Sequence, residues 1–212
     1  MLIPFSTLVP FLAARGIRVR GVLHIGAHEC EELKDYVAQG VSAEAVDWIE
    51  ANPELVARMA AQGIHVHQAA VSDVEAELPF HVTNNGQSSS LLEFGTHAAS
   101  YPWCKVVKTL TVKTETLQGV VARTGIPIAT RNFWNLDIQG AELAALRSAG
   151  DLLKHADAIY AEVNTQEVYK GCGQLPELDA FLASQGFKRE MISMTPAGWG
   201  DALYVRVSPS VD

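Results

Sequence analysis

Three short segments of this chain end in residues whose types suit a nucleoside. In Val22-Leu23-His24-Ile25-Gly26-Ala27-His28-Glu29 an apolar run breaks at a glycine and passes into a helical pattern. Backbone N–H groups then face the carboxyl end of a strand, where open α/β sheets bind ligands. The full G-x-G-x-x-G pattern is missing, since Cys30 stands where a later glycine is expected. That argues against close approach of a pyrophosphate and for a smaller ligand without phosphate. Taken alone, Gly26 reads equally well as a turn residue. The second segment is Trp48-Ile49-Glu50-Ala51-Asn52-Pro53, in which Glu50 ends a strand 24 positions after the glycine. A carboxylate there can accept both ribose hydroxyls of a nucleoside. Asn52-Pro53 also caps the next helix, a role that needs no ligand. The third is Ala69-Ala70-Val71-Ser72-Asp73, where small residues leave space for a flat ring and Asp73 can accept from an exocyclic amine. Glycine, acid and small-polar chemistry at three successive strand ends reads as a nucleoside site.

Two more carboxylates fall at strand ends further on. Asp137 follows Phe133, Trp134 and Leu136 and precedes Gly140 and Glu142, which open a helix. In the usual strand order it lies beside the first strand, part-buried, where it needs a partner or a raised pKa. The alternative is an Asp capping the helix at Ala141, and Glu142 reads as a first-turn dipole partner. Glu162, in Tyr160-Ala161-Glu162-Val163-Asn164, faces the same rim and suits a general base or an acceptor for a substrate hydroxyl. His97 and Ser88-Ser89-Ser90 lie in a long polar stretch. Tyr169, Trp199 and Asp201 are further rim candidates, although packing is the commoner fate of such residues. His65 and His67 share one strand face with no third ligand at a recognisable spacing, so no metal site is predicted. No strand–Gly-x-Ser-x-Gly–helix context supports a Ser/His/Asp hydrolase.

The elements that position these residues alternate. Strands are expected at Val19–Ile25, Ala45–Ile49 and Ile64–Ala70, with helices at Glu29–Gln39 and Pro53–Gln62 between them. Such alternation indicates βαβ units and a parallel sheet. Leu78–Thr83 and Val106–Lys113 read as strands flanking the polar stretch Asn84–Tyr101. An insertion of that length is usually a functional lid or disordered, and a lid covering the carboxyl rim is expected. Alternation resumes with strands at Arg131–Leu136 and Ala158–Val163 and helices at Ala141–Ala149 and Pro176–Gln185. The final runs, Phe187–Met194 and Ala202–Val207, are joined too closely for a helical crossover and should be antiparallel. Residues 1–18 are expected as a helical extension packing on the domain, with the helix over Ser6–Arg15, rather than a signal peptide, since the apolar start lacks a basic segment and is broken by Pro4 and Pro10.

Composition narrows the function classes. The chain has 212 residues, 48% hydrophobic and 19% charged, a globular balance that favours one domain. No apolar run reaches the roughly 18 residues a membrane helix requires. A net charge of −8 gives no general basic footprint for nucleic acid. Arg131, Lys105 and Lys108 are the basic residues available to an anionic acceptor. Cys30, Cys104 and Cys172 form no CxxC pair, which favours a reducing, cytoplasmic setting.

Taken together, Leu23–His28, Trp48–Pro53, Gln68–Asp73, Ser88-Ser89-Ser90-Leu91 and Asn135–Leu143 resemble the FkbM-type S-adenosylmethionine-dependent methyltransferases. The resemblance covers roughly Val19 to Val207, and Asp137-x-x-Gly-x-Glu142 is its most specific piece. His24 stands where the family often has Asp, and Cys30 where many members have Gly. The resemblance implies a class I methyltransferase fold: an α/β, Rossmann-like three-layer sandwich whose seven-stranded, mostly parallel sheet ends in an antiparallel strand. It implies S-adenosyl-L-methionine as cofactor, with Gly26 and Ala27 near its methionyl part, Glu50 at the ribose, and His28 and Asn52 also among the cofactor-binding residues. Val71, Ser72 and Asp73 would flank the adenine, and Asp137 would reach the amino-acid end or the transferring methyl. The expected reaction is O-methylation of a small-molecule hydroxyl, with Asp137, Glu162 and His97 as candidate bases. N-methylation of an amide on a peptide natural product calls for the same carboxylates. A nucleotide-binding module without turnover and a dinucleotide dehydrogenase are the alternatives of other kinds, and the oligomeric state stays open.

Overall fold

The computed structural model describes residues Met1–Val207. Apolar residues on both sides of nearly every central strand dictate its layers. Strands β1 (Val22–Ile25), β2 (Val46–Glu50), β3 (Val66–Gln68), β7 (Phe133–Leu136), β8 (Ala158–Asn164), β9 (Phe187–Met194) and β10 (Trp199–Arg206) form one sheet in the order β3-β2-β1-β7-β8-β10-β9. The pairs from β3 to β8 are parallel, and β10 runs antiparallel to both β8 and β9. Every residue of β1, β7 and β8 is buried, as a parallel sheet covered on both faces requires.

Alternate residues of each strand feed opposite layers. Leu23, Trp134 and Ile159 point into the cluster shared with α5 (Leu117–Thr124), α6 (Glu142–Ala149) and α7 (Leu175–Ser184). Val22, Phe133 and Tyr160 point into the cluster shared with α1 (Phe5–Ala13), α2 (Leu33–Ala38) and α3 (Pro53–Ala61). Helix α1 buries Phe5, Leu8 and Leu12, one face at helical spacing. The Phe5 ring meets Tyr36 and Phe133 edge-on, at 4.8 and 5.2 Å between centroids.

Several boundaries differ from the sequence expectation, each for a local reason. The helix expected over Glu29–Gln39 is confined to α2, because His28 (φ 44°) and Cys30 (φ 56°) adopt left-handed backbone that no α-helix contains. The strand expected over Ile64–Ala70 splits. Its first part, β3, stays in the main sheet, whereas β4 (Ala70–Val71) pairs with β6 (Val106–Glu115). Antiparallel β5 (Glu77–Thr83) and β6 complete a separate three-stranded sheet, β4-β6-β5.

Residues 84–105 join β5 to β6, and the polar part of this connection folds back over the main sheet. It contains the short helix α4 (His97–Ser100). The Ser90 hydroxyl donates to the Gln139 carbonyl at 2.8 Å, and a bridge between Phe94 and Tyr169 pins the second half. No helix among the described residues is long and apolar enough to cross a membrane.

Candidate active site

The carboxyl ends of β1, β2, β7 and β8 open into a cavity of about 470 Å³, roofed by residues of the 84–105 connection. Its floor is set by one glycine. Gly26 has φ +93°, and a Cβ there would stand 1.8 Å from the Asp137 carbonyl oxygen. The loop leaving β1 and the loop leaving β7 therefore touch, tied by Asp137 N–H donating to the Ile25 carbonyl at 2.9 Å, while Gly26 N–H donates to the Ile49 carbonyl of β2 at 2.9 Å. Glycine is needed here for this close approach of two backbones.

One end of the cavity is apolar: Ile49, Leu55, Val71, Phe80 and Ile138 line it. Glu50 stands beside it, nearly buried. Its carboxylate accepts from the His28 N–H at 2.9 Å and the Asn52 N–H at 2.8 Å. Burial raises its pKa, and those backbone donors oppose the rise. Each carboxylate oxygen has a second lone-pair site for a ligand hydroxyl.

The other end is acidic. Gln139, held at φ 57°, donates from one amide nitrogen to Asp137 at 2.5 Å and to Glu162 at 2.8 Å. The other Glu162 oxygen, Oε1, is buried without a partner. Tyr169 donates to the Gln139 side-chain oxygen Oε1 at 2.5 Å, fixing the bridge. Asp201, opposite Glu162 in the β8–β10 register, accepts from the Tyr160 hydroxyl and the Leu2 N–H. Asp137 is exposed toward the cavity, yet enclosure by protein and then the charge of Asp201 raise its pKa to about 6. Glu162 lines the cavity but is only 5% exposed, and burial, followed by Asp137, Glu142 and Asp201, holds its pKa well above the carboxylate range. Glu142 lies behind them and accepts from the Ile138 and Gly140 N–H groups at 2.9 and 3.0 Å, with burial lifting its pKa to about 7. Aromatic groups wall the mouth. His97 stacks on Phe94 at 4.2 Å, and Trp199 donates to the Tyr101 hydroxyl at 2.8 Å. Burial lowers the His97 pKa, so its ring is neutral at pH 7.

Of the residues singled out from sequence, Gly26, His28, Glu50, Val71, His97, Asp137 and Glu162 share this cavity. Four others do not line it. Ala27 is packed in the core below, Asn52 caps α3 by accepting from the Glu54 N–H at 3.0 Å, Ser72 is buried beside Glu115, and Asp73 is exposed. The turn of the chain into β4 is what carries Ser72 and Asp73 away from the rim. Tyr169, Trp199 and Asp201 do line the cavity, where packing had been the commoner expectation. His67 instead faces Asp47 at 3.6 Å, and no group of three metal-ligating side chains occurs among the described residues. Sequence reasoning missed the Gln139 bridge and the buried cluster in which Tyr36 lies 3.0 Å from His24 and accepts from Asn135 at 2.8 Å. Only the register of β1 against β7, which pairs His24 with Asn135, could have signalled that cluster.

The sheet order, with its one reversed strand, and a ligand cavity over β1, β2 and β7 define the class I methyltransferase architecture. More specifically, the chain belongs to the FkbM methyltransferase family: residues 24–189 match the Methyltransferase FkbM domain. It is similar to the 2-O-methyltransferase NoeI of Sinorhizobium fredii, 26% identical over 148 residues, 66% of this chain and 58% of that protein. The chain thus matches less than two thirds of that relative's length. Among solved structures it is similar to magnesium protoporphyrin IX methyltransferase from Synechocystis PCC 6803 with bound SAM. The identity is 13%, over 95% of this chain and 77% of that one, with a TM-score of 0.47. A Bacteroides fragilis SAM-dependent methyltransferase in complex with S-adenosyl-L-homocysteine gives 13% identity, 97% and 83% coverage and a TM-score of 0.46.

Proposed function

We propose that this protein transfers a methyl group from S-adenosylmethionine to a hydroxyl of a small, uncharged molecule. The observation that carries the reading is the polarity of the cavity: an apolar slot beside Glu50 at one end, and at the other a buried carboxylate with one oxygen unpartnered. A volume of about 470 Å³ suits a ligand of nucleoside size together with an acceptor. Six carboxylates and no Lys or Arg line the cavity among the described residues. That charge balance complements a ligand bearing an ammonium and a positive sulfur, and it disfavours an anionic acceptor. The basic residues considered from sequence do not alter this, since Arg131 pairs with Asp47 and Lys108 with Glu54 at 2.5 Å each, and Lys105 does not line the cavity.

When bound, S-adenosylmethionine supplies a methyl group already activated on sulfur. The protein's residues then position and deprotonate. Glu50 would accept hydrogen bonds from the ribose hydroxyls, Val71 and Phe80 would flank the adenine, and Asp137 would meet the amino-acid end. Glu162 accepts the proton of the acceptor hydroxyl, with His97 as the neighbouring neutral base. The 84–105 connection acts as a lid that keeps water from the reacting atoms. Incubating the protein with radiolabelled S-adenosylmethionine and a panel of neutral glycosides, phenols, aliphatic alcohols and peptides tests the reading. Label is expected on oxygen of a neutral acceptor; label confined to peptide nitrogen or to phosphorylated acceptors would overturn it. The NoeI name supports oxygen as the target.

A further inference from the structure

Asp137, Glu162 and Asp201 reach the acid end of the cavity from the loop leaving β7 and from the neighbouring strands β8 and β10. Two of them have their hydrogen bonds arranged. Asp201 is held by the Tyr160 hydroxyl and a backbone N–H, and Asp137 shares the Gln139 amide with Glu162. Glu162 differs: it is 5% exposed, and its Oε1 is enclosed with no partner. Every group facing it is acidic or neutral. Asp137 faces it from the loop leaving β7, Asp201 from β10 and Glu142 from α6, with the Tyr169 hydroxyl and the His97 ring on the roof side. Among the described residues no Lys or Arg compensates a charge at this position; the one cation lining the cavity is the N-terminal ammonium of Met1, which lies 3.9 Å from Glu32 and opposes the rise in the Asp137 pKa.

We propose that Glu162 is a proton switch set by the charge of the bound cofactor. It keeps its proton when the cavity holds no cationic ligand, loses it when a positive sulfur enters, and recovers one as the methyl departs. The inference rests on the methyltransferase reading and adds to it the reason why a carboxyl in this surrounding can act as a base. Burial and three like-charged neighbours favour the protonated form, and a nearby cation reverses that preference. The balance closes. The acceptor oxygen's lone pair forms the new C–O bond, the C–S pair stays on sulfur, and the O–H proton goes to Glu162 Oε1. One buried positive and one buried negative charge disappear together, so no stage leaves a buried charge unpaired.

The test compares two ligands that differ by the charged methyl alone. S-adenosylmethionine and S-adenosylhomocysteine are titrated calorimetrically into the protein at pH 7, in buffers of different ionisation enthalpy. The methylated ligand is expected to release about one proton more per site than the demethylated one. Its relative affinity should grow by up to about tenfold per pH unit until Glu162 ionises unaided. In Glu162→Gln, which keeps the acceptor for Gln139, both effects should vanish, with S-adenosylhomocysteine affinity changed less than about twofold. Equal proton counts for the two ligands in the unaltered protein would overturn the switch and leave the methyltransferase reading standing. A difference that persists in Glu162→Gln would reassign the proton and also overturn it. Failure of both ligands to bind at millimolar concentration would remove the underlying reading, and the switch with it.

Discussion

Replacing Gly26 by alanine isolates the contact on which the floor of the cavity depends. The added Cβ would stand 1.8 Å from the Asp137 carbonyl oxygen and 2.7 Å from its carbon. Both are backbone atoms, so no side-chain rotation relieves the overlap, and the β1 and β7 loops must separate. The positive φ costs about 1–2 kcal/mol for a residue with a Cβ, and forcing atoms into a packed site costs about 1–3 kcal/mol more. Gly40 supplies the control. It has φ +86° with nothing within 4 Å of its would-be Cβ, so Gly40→Ala carries the first cost alone. At about 2–4 °C per kcal/mol for a chain of this size, Gly26→Ala should melt about 2–12 °C below Gly40→Ala. Differential scanning calorimetry of the two variants, with and without S-adenosylmethionine, reads the gap. Gly26→Ala should also lose most of the cofactor-induced rise in Tm, since Asp137 moves with the loop. Two variants that melt within a degree of each other, both still stabilised by cofactor, would refute the reasoning.

Glu50→Gln places an N–H₂ against one of the two backbone N–H groups that the carboxylate now satisfies. It should weaken S-adenosylmethionine binding by about 1–3 kcal/mol in a calorimetric titration; unchanged affinity would assign Glu50 to loop anchoring alone. The pH dependence of stability has a definite sign. Asp137, its pKa raised to about 6 by enclosing protein and the Asp201 charge, Glu142, raised to about 7 by burial, and Glu162, held well above the usual carboxylate range, each contribute stability that is full below the unfolded carboxylate pKa. That contribution is lost as pH rises through 6 and 7, so the Tm of the cofactor-free protein should fall between pH 5 and pH 8. A Tm that rises over that window would contradict the assignment. Phe5→Ala empties a site packed against Tyr36 and Phe133 and should cost about 3–5 kcal/mol in a urea melt. A cost below 1 kcal/mol would mean α1 is not part of the core.

The sheet was legible because its signals are local. Buried β-branched runs mark β1, β2 and β8, and a loop too short for a crossover forces the β9–β10 reversal. Strand ends then follow, and with them Gly26, Glu50, Asp137 and Glu162. What escaped depends on partners far away in the chain. Ser72 and Asp73 look like rim residues until β4 leaves the main sheet to pair with β6, a choice made by residues about 40 positions later. Trp199 and Tyr101 form one wall of the cavity through a hydrogen bond spanning 98 residues. Gln139 reads as a turn residue, and only its left-handed backbone turns its amide toward both carboxylates. Asp201 and Trp199 are rim candidates from the sequence, and the antiparallel register of Asp201 with Glu162 is what places it in the site.

A crystal structure of the protein with S-adenosylmethionine tests the account most directly, because it shows which end of the cavity takes which end of the ligand. The account predicts both ribose hydroxyls within hydrogen-bond distance of the Glu50 carboxylate, the adenine between Val71 and Phe80, and the sulfonium methyl directed at Glu162 Oε1. An adenine lying instead against Tyr101 and Trp199, with the methyl pointing toward Glu50, would contradict it.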